Sequence, residues 1–204
     1  MSRKRVVIFI SGGGSNMETL IKAAAAPDYP AEIIAVFSDK ADAGGLAKAQ
    51  NAGIPTKIFP RKDFASKDAH EDAILAELAE LKPDILCLAG YMRLLSGRFI
   101  APYAGRILNI HPSLLPLFAG LHTHQRALDA GMKLAGCTVH LVTEGMDEGP
   151  ILAQAAVPVC TGDSAEMLAA RVLKAEHQLY PLALKHFASD ENVPLAPDMM
   201  ILSA

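Results

Sequence analysis

Short apolar runs alternate with segments of helical spacing through the first half of this 204-residue chain, and this alternation constrains the fold most strongly. The runs are apolar on both faces, as strands are when helices cover both sides of a parallel sheet. The pattern predicts a Rossmann-like α/β fold with a mostly parallel twisted sheet and helices on both faces. The predicted strands lie at 6–10, 33–38, 56–59, 85–89 and 107–110, and the predicted helices at 17–26, 44–52, 64–81 and, in part, 94–103.

The second half of the chain has a different pattern. A helix is predicted at 122–130, then two strands at 137–143 and 151–159 joined by a glycine- and acid-rich loop, then a long helix at 164–188. Strands joined by so short a loop pair antiparallel, so we expect an antiparallel extension of the sheet. Asp163 or Ser164 is expected to cap the last helix. Neither a linker-like stretch nor an internal repeat occurs, and we expect one domain over residues 1–204.

Composition excludes several classes of partner. The net charge is −3 and no basic stripe occurs, which argues against a nucleic-acid partner. No apolar run approaches membrane-spanning length, and the run after the basic start is too short for a signal peptide. Cys87, Cys137 and Cys160 are widely spaced and form no CxxC motif, so we expect reduced core thiols in a cytoplasmic protein.

A glycine-rich turn follows the first predicted strand and opens the first predicted helix. Glycines let the backbone approach a ligand closely, and the free N–H groups of a helix start attract negative charge. A dinucleotide-binding fingerprint would need glycine where Met17 stands, and a triphosphate loop would need a lysine after its last glycine. We therefore favour a single phosphate on a sugar, with an unliganded tight turn as the alternative.

The fifth predicted strand ends in two polar side chains. Alternation along a strand places Asn109 and His111 on the same face, where an amide donor and a titratable ring suit a site that handles a carbonyl and a proton. A capping Asn beside a half-buried His is the alternative. The loop at 143–150 carries an acid able to approach His111, and such a carboxylate keeps an imidazole protonated and oriented.

Three further histidines have alternative interpretations. His122 and His124 have a spacing that a metal could use, but no third ligand is apparent, so a helix-entry or pocket-wall position is favoured and no metal is expected. His140 lies in an alternating strand and is interpreted as a semi-buried ring that can face the site.

Five motifs occur in one order: Ser11-Gly-Gly-Gly-Ser-Asn16, Ala89-Gly-Tyr-Met-Arg-Leu-Leu95, Leu108-Asn-Ile-His-Pro-Ser-Leu-Leu-Pro116, Gly120-Leu-His-Thr-His124 and Asp147-Glu-Gly-Pro150. Together they closely resemble the phosphoribosylglycinamide formyltransferases, folate-dependent enzymes of purine synthesis. The resemblance extends from Val6 to about Pro181. The third motif is typical of the wider formyltetrahydrofolate-using superfamily. The first motif narrows the resemblance to the family within it that binds a phosphate-bearing substrate.

The resemblance implies a role for individual residues. The implied catalytic residues are Asn109, His111 and Asp147. The implied ribonucleotide-binding residues are Gly14, Ser15, Asn16 and Glu176. The implied folate-binding residues are Lys67, Met92, Arg93, Leu94, Leu95, Asn109 and Glu144. Lys67 stands where many relatives have Arg, and lysine keeps the charge but lacks the bidentate fork.

The implied reaction is direct transfer of a formyl group from 10-formyltetrahydrofolate to the primary amine of 5′-phosphoribosylglycinamide, through a tetrahedral intermediate and without a metal. The N-terminal half is expected to bind the ribonucleotide and the C-terminal half the folate, with one cleft between them, in a monomer or homodimer. A formyltetrahydrofolate hydrolase and a methionyl-tRNA formyltransferase are alternatives within the superfamily. They usually carry an extra N-terminal and C-terminal domain, respectively, for which this chain has no room. A non-catalytic nucleotide-binding module is the alternative from another class.

Overall fold

Strands and helices alternate through the first half of the protein, as the apolar periodicity predicts. The computed structural model describes residues 2–189, and the chain divides into two compact units, Met1–Leu108 and Asn109–Ala204. The prediction of a single domain over residues 1–204 stays a prediction, and residues 190–204 lie outside the described part of the chain.

The first unit contains a parallel ladder. Its elements are β1 (Lys4–Ile10), α1 (Ser15–Ala24), β2 (Ala31–Ser38), α2 (Gly44–Asn51), β3 (Thr56–Ile58), α3 (Lys67–Leu81), β4 (Ile85–Leu88), α4 (Gly97–Ile100) and the start of β5 (Ile107–His111). Four of these strands lie in the order β3-β2-β1-β4, and β1 runs parallel to both β2 and β4. All residues of β1 from Val6 to Ile10 are 0% exposed, as expected for a central strand covered on both faces.

The second unit contains the rest of β5 together with α5 (Thr123–Asp129), β6 (Leu134–Leu141), β7 (Ile151–Pro158) and α6 (Ala165–Ala188). Strands β6 and β7 pair antiparallel, and the register shifts between Val139 and His140. Helix α6 packs on both strands through a buried apolar face. The predicted α/β class, its mostly parallel strands and the antiparallel extension in the C-terminal half are thus confirmed.

Helix boundaries depart from the sequence prediction where local hydrogen bonds decide them. Helix α3 begins at Lys67 rather than at residue 64, because the Ser66 hydroxyl accepts the Ala69 N–H and caps the helix there. Ser164 caps α6, whereas Asp163 accepts hydrogen bonds from the Arg171 guanidinium.

Two further expectations concern thiols and membranes. Cys87 and Cys137 are buried, but Cys160 is exposed, so its assignment to the core was wrong. It follows β7 at the surface, where the chain turns towards α6. No helix within residues 2–189 is long and apolar enough to cross a membrane.

Candidate functional site

The end of β5 presents a buried imidazole between two acceptors. His111 is 6% exposed, and its Nδ1 lies 3.3 Å from Asp147 Oδ2. Its Nε2 lies 3.1 Å from the Phe118 carbonyl oxygen. A carboxylate and a carbonyl can only accept, so this pattern is fully satisfied by an imidazolium with two N–H donors. The ring is therefore held in one orientation from both sides.

His140 connects Asn109 to the same carboxylate. Asn109 Nδ2 lies 3.1 Å from His140 Nε2, and His140 Nδ1 lies 3.0 Å from the Leu141 carbonyl oxygen. Because that carbonyl can only accept, the neutral His140 ring carries its proton on Nδ1 and accepts the Asn109 amide hydrogen at Nε2. His140 Nε2 also lies 3.8 Å from Asp147 Oδ1. The second hydrogen of the Asn109 amide is not used by this contact.

Burial keeps His140 in its neutral form, which accepts a hydrogen bond at Nε2. The ring is 2% exposed, and burial lowers its pKa below the usual value. The Leu141 carbonyl and the Asp147 charge raise that pKa, and the His111 ring lowers it again. The net direction is downward, so neutral His140 can serve as the acceptor for Asn109.

The loop between β6 and β7 is shaped to bring its carboxylate to His111. Asp147 has a φ of +55°, a left-handed conformation that aspartate adopts more readily than most residues, and its Oδ2 accepts the Gly120 N–H at 2.9 Å. At the end of the loop, a Cβ on Gly149 would lie 1.8 Å from the Leu141 carbonyl oxygen. The carbonyl that orients His140 thus also requires glycine at position 149.

A small cavity borders the segment after His111. It is lined by residues of the 112–118 segment, by Thr123, His124 and Ala127 of α5, and by Met132, Leu134 and Ala135. Burial and the nearby His111 ring lower the pKa of His124. His122 precedes α5 in a left-handed conformation, so the helix-entry and pocket-wall positions predicted for the two histidines match their places in the fold.

Within residues 2–189, no group of three or more His, Cys, Asp or Glu side chains could hold a metal.

The glycine-rich turn of the first unit is tightly packed against α2. Gly14 has a φ of +69° and immediately precedes α1, which no side chain caps among the described residues. A Cβ on Gly14 would lie 2.9 Å from Gly45 Cα, and Gly45 N–H donates to the Gly12 carbonyl at 3.0 Å. The first N–H groups of an α-helix have no acceptor within the helix itself, and α1 begins at Ser15. This arrangement can bind an anion.

The predicted folate residues of the first unit lie in two places. Met92 and Leu94 are each 62% exposed in the loop after β4, and Leu95 is half-buried. The Arg93 guanidinium pairs with Asp39, 2.7 Å from Nε to Oδ2. Lys67 opens α3, and its Nζ lies 3.7 Å from Glu71 Oε1.

The remaining predicted residues lie in the second unit. Asn109, His111 and Asp147 come together around His140. Glu144 is exposed in the loop that carries Asp147. Glu176 is 7% exposed in α6, and its charge adds to burial in raising the pKa of the Cys137 thiol.

Sequence reasoning missed the groups that orient the polar side chains. His140 is interpreted from the sequence only as a ring that can face the site, although its position in an alternating strand was a signal. The Phe118 carbonyl and the Gly120 N–H are backbone groups, which carry no residue signature. Positions 45 and 149 require glycine because other parts of the chain approach their backbone too closely for a Cβ, and these contacts exist only in the folded protein.

Comparisons with known proteins converge on one family. A family model described as Formyl transferase matches residues 4–184. The crystal structure of phosphoribosylglycinamide formyltransferase from Brucella melitensis is 80% identical, with a TM-score of 0.90, over 95% of this chain and 100% of that one. Phosphoribosylglycinamide formyltransferase of Escherichia coli is 46% identical over 90% of this chain and 86% of its own length.

Longer animal proteins match as well. The trifunctional purine biosynthetic protein adenosine-3 of Bos taurus is 48% identical over 92% of this chain but only 18% of its own length. The chain thus spans about a fifth of these animal relatives, since the corresponding share for the Gallus gallus protein is 19%.

Proposed function

Because the chain belongs to the formyl transferase family, we propose that it transfers the formyl group of 10-formyltetrahydrofolate to the primary amine of 5′-phosphoribosylglycinamide. The products are phosphoribosyl-N-formylglycinamide and tetrahydrofolate, and the step belongs to de novo purine biosynthesis. The names of the bacterial relatives that the chain covers over most of their length support this assignment.

The observation that carries the proposal is the His111–Asp147 pair beside the Asn109 amide. Formyl transfer needs a donor for the oxygen that becomes negative and a group that holds a proton near the leaving nitrogen. The 3.3 Å contact between His111 Nδ1 and Asp147 Oδ2 supports the second role, and the spare Asn109 amide hydrogen supports the first.

In the proposed mechanism the substrate supplies the nucleophile. Its amine nitrogen bonds to the formyl carbon, the bond from that carbon to the folate N10 breaks, and a proton passes from the amine to N10. Asn109 donates a hydrogen bond to the formyl oxygen as it becomes an oxyanion. His111 offers its Nε2 proton to the reacting atoms in exchange for the Phe118 carbonyl, while Asp147 holds its other nitrogen. No covalent bond to the protein is required.

Other residues are proposed to bind rather than react. The backbone at Gly14, Ser15 and Asn16 binds the substrate phosphate, supported by the positive φ of Gly14 and the uncapped start of α1 within the described residues. Glu176 contacts the same ribonucleotide. The folate is bound mainly through the backbone of residues 92–95, with further contacts from Lys67 and Glu144.

We propose small-molecule substrates as the partners, with neither nucleic acid, membrane nor metal involved. The protein is proposed to act in the cytoplasm as a monomer or homodimer.

One assay tests the proposed function. The protein is incubated with 10-formyltetrahydrofolate, with and without 5′-phosphoribosylglycinamide, and both folate and ribonucleotide products are measured. Deformylation that strictly requires the ribonucleotide, with one formylated product per folate consumed, is the expected result. Deformylation in water alone would indicate the hydrolase, and none at all would indicate a binding module.

The proposed mechanism has its own test. Asn109→Ala and His111→Ala should each lower kcat by about 10²–10³, the usual cost of removing one donor to an oxyanion. Near-normal turnover by both variants, with an unchanged melting temperature, would contradict the mechanism without contradicting the overall reaction.

A further inference from the structure

A buried carboxylate outside the proposed catalytic residues joins the glycine-rich turn to the loop after β4. Asp39 follows β2 and is 3% exposed. Its Oδ1 accepts a hydrogen bond from the Ser11 hydroxyl at 2.5 Å, and its Oδ2 accepts one from Arg93 Nε at 2.7 Å. Both oxygens of this carboxylate are therefore committed to groups on two other segments of the first unit.

Ser11 passes the effect of Asp39 to the loop backbone. A serine hydroxyl has one hydrogen to donate and lone pairs with which to accept. Because Asp39 takes the hydrogen, a lone pair is free to accept the Met92 N–H, at 2.9 Å. The Ser11 N–H also donates to the Gly90 carbonyl at 3.1 Å. Without the Asp39 carboxylate as its acceptor, the Ser11 hydroxyl is no longer held in the orientation that accepts the Met92 N–H.

The charge of Asp39 makes these contacts strong and mutually dependent. Hydrogen bonds to a carboxylate are shorter and stronger than neutral ones, and a buried carboxylate without partners is strongly unfavourable. The Arg93 side chain is 43% exposed, whereas that of Asp39 is 1% exposed. Burial raises the pKa of the neighbouring Tyr91 phenol, and the Asp39 charge adds to that rise. The loop is thus fixed around one buried negative charge.

We propose that Asp39 is a positioning residue for formylfolate binding. Through Ser11 and Arg93, Asp39 holds the backbone of residues 90–93 in place. The inference rests on one part of the proposed function, the binding of the folate by the 92–95 backbone, and not on formyl transfer itself. Arg93 then acts on folate affinity through Asp39 rather than as an independent ligand. Met92 is itself exposed, and its backbone N–H is held by the Ser11 hydroxyl.

The test compares kinetic constants of Asp39→Asn with those of the wild type. Asparagine keeps the shape but loses the charge that holds Arg93 and Ser11 together, so KM for 10-formyltetrahydrofolate should rise about tenfold while kcat changes less than about twofold. KM for the ribonucleotide should rise less. A variant that was only less stable would instead lose active protein, which lowers kcat and leaves KM unchanged.

Two further variants make the test sharper. Ser11→Ala removes only the hydroxyl and should also raise KM for the formylfolate. It takes the place of Asp39→Asn in the test if that variant is too unstable to assay. Asp72→Asn is the matched control, because Asp72 also pairs with an arginine, Arg98, but is 48% exposed, so its KM should stay at the wild-type value.

A double variant separates the two roles of Arg93. If Arg93 acts through Asp39, then Asp39→Asn with Arg93→Ala should raise KM no more than the larger single effect. Multiplying effects would show an independent contact and overturn that part of the inference. An unchanged or lower KM in both Asp39→Asn and Ser11→Ala would overturn the whole.

Binding of tetrahydrofolate, measured by calorimetry without oxygen, distinguishes this failure from that of the proposed function. If the wild type transfers no formyl group yet Asp39→Asn still weakens tetrahydrofolate binding, the proposed function fails and the inference stands. If the wild type transfers normally and the variant binds tetrahydrofolate as tightly, only the inference fails.

Discussion

Replacing His140 with Phe tests whether this ring fixes the orientation of the Asn109 amide. Phenylalanine fills nearly the same buried space but offers no acceptor to Asn109 Nδ2 and no donor to the Leu141 carbonyl, which now lie at 3.1 and 3.0 Å from the ring nitrogens. The Asn109 amide is still present, but no hydrogen bond from position 140 fixes its orientation. We expect slower formyl transfer from a protein that is still folded.

The magnitude follows from the hydrogen bonds that the substitution removes. Removing the Asn109 donor altogether should cost about 3–4 kcal/mol of barrier. His140→Phe keeps that donor and removes only one neutral hydrogen bond that orients it, worth about 1 kcal/mol, so kcat should fall about fivefold to tenfold. Losing two neutral hydrogen bonds should also lower stability by about 1–2 kcal/mol, partly offset by the more apolar ring.

The assay is a double-mutant cycle on kcat with His140→Phe, Asn109→Ala and the pair. If His140 acts only through Asn109, the pair should be no slower than Asn109→Ala alone. His70→Phe is the matched control, since His70 is also buried and bonds a carbonyl, that of Phe59 at 2.8 Å. It should lose stability without losing kcat. The reasoning is refuted if His140→Phe keeps full kcat, or if the two effects multiply.

Three other outcomes follow from the same geometry. Asp147→Asn should lower kcat at least about 100-fold in steady-state assays, because the charge facing the imidazole is lost. Gly149→Ala should lower stability by about 2 kcal/mol in urea unfolding, since its Cβ would collide with the Leu141 carbonyl. Gly44→Ala should not, because a Cβ there would meet no described atom within 4 Å beyond its chain neighbours and the backbone of its own helix. The lowered pKa of His140 means that the unfolded chain binds a proton more readily below about pH 6.5, so wild-type stability falls as pH falls through that range. In His140→Phe, the loss of stability measured between about pH 7.5 and pH 5.5 should be smaller.

The architecture could be predicted because its signals are local. Each parallel strand is a short apolar run between turn residues, and β1 is buried on both faces as its composition predicts. Errors in the architecture were confined to the ends of elements: β6 begins at Leu134 rather than at residue 137, and one hydroxyl decides where α3 begins. Phe64 fits the apolar pattern of α3, yet Ser66 caps the helix two residues later.

The polar side chains of the site could be predicted in part. Asn109 and His111 share a face because residues two apart on a strand do so. The contact between Asn109 and His140 could not be predicted, because it depends on which residues of different strands lie close together. The register also shifts between Val139 and His140, and such an irregularity redirects the side chain next to it.

The backbone groups around His111 and Asp147 explain why the polar side chains alone are an incomplete description of this site. The Phe118 carbonyl, the Gly120 N–H and the Leu141 carbonyl contact His111, Asp147 and His140 respectively. A substitution that preserves all polar side chains but moves one of these segments removes the same hydrogen bonds as a substitution in the ring or carboxylate itself. The conformation of the loops after β5 and β6 is therefore as necessary to the proposed chemistry as the identity of the three side chains.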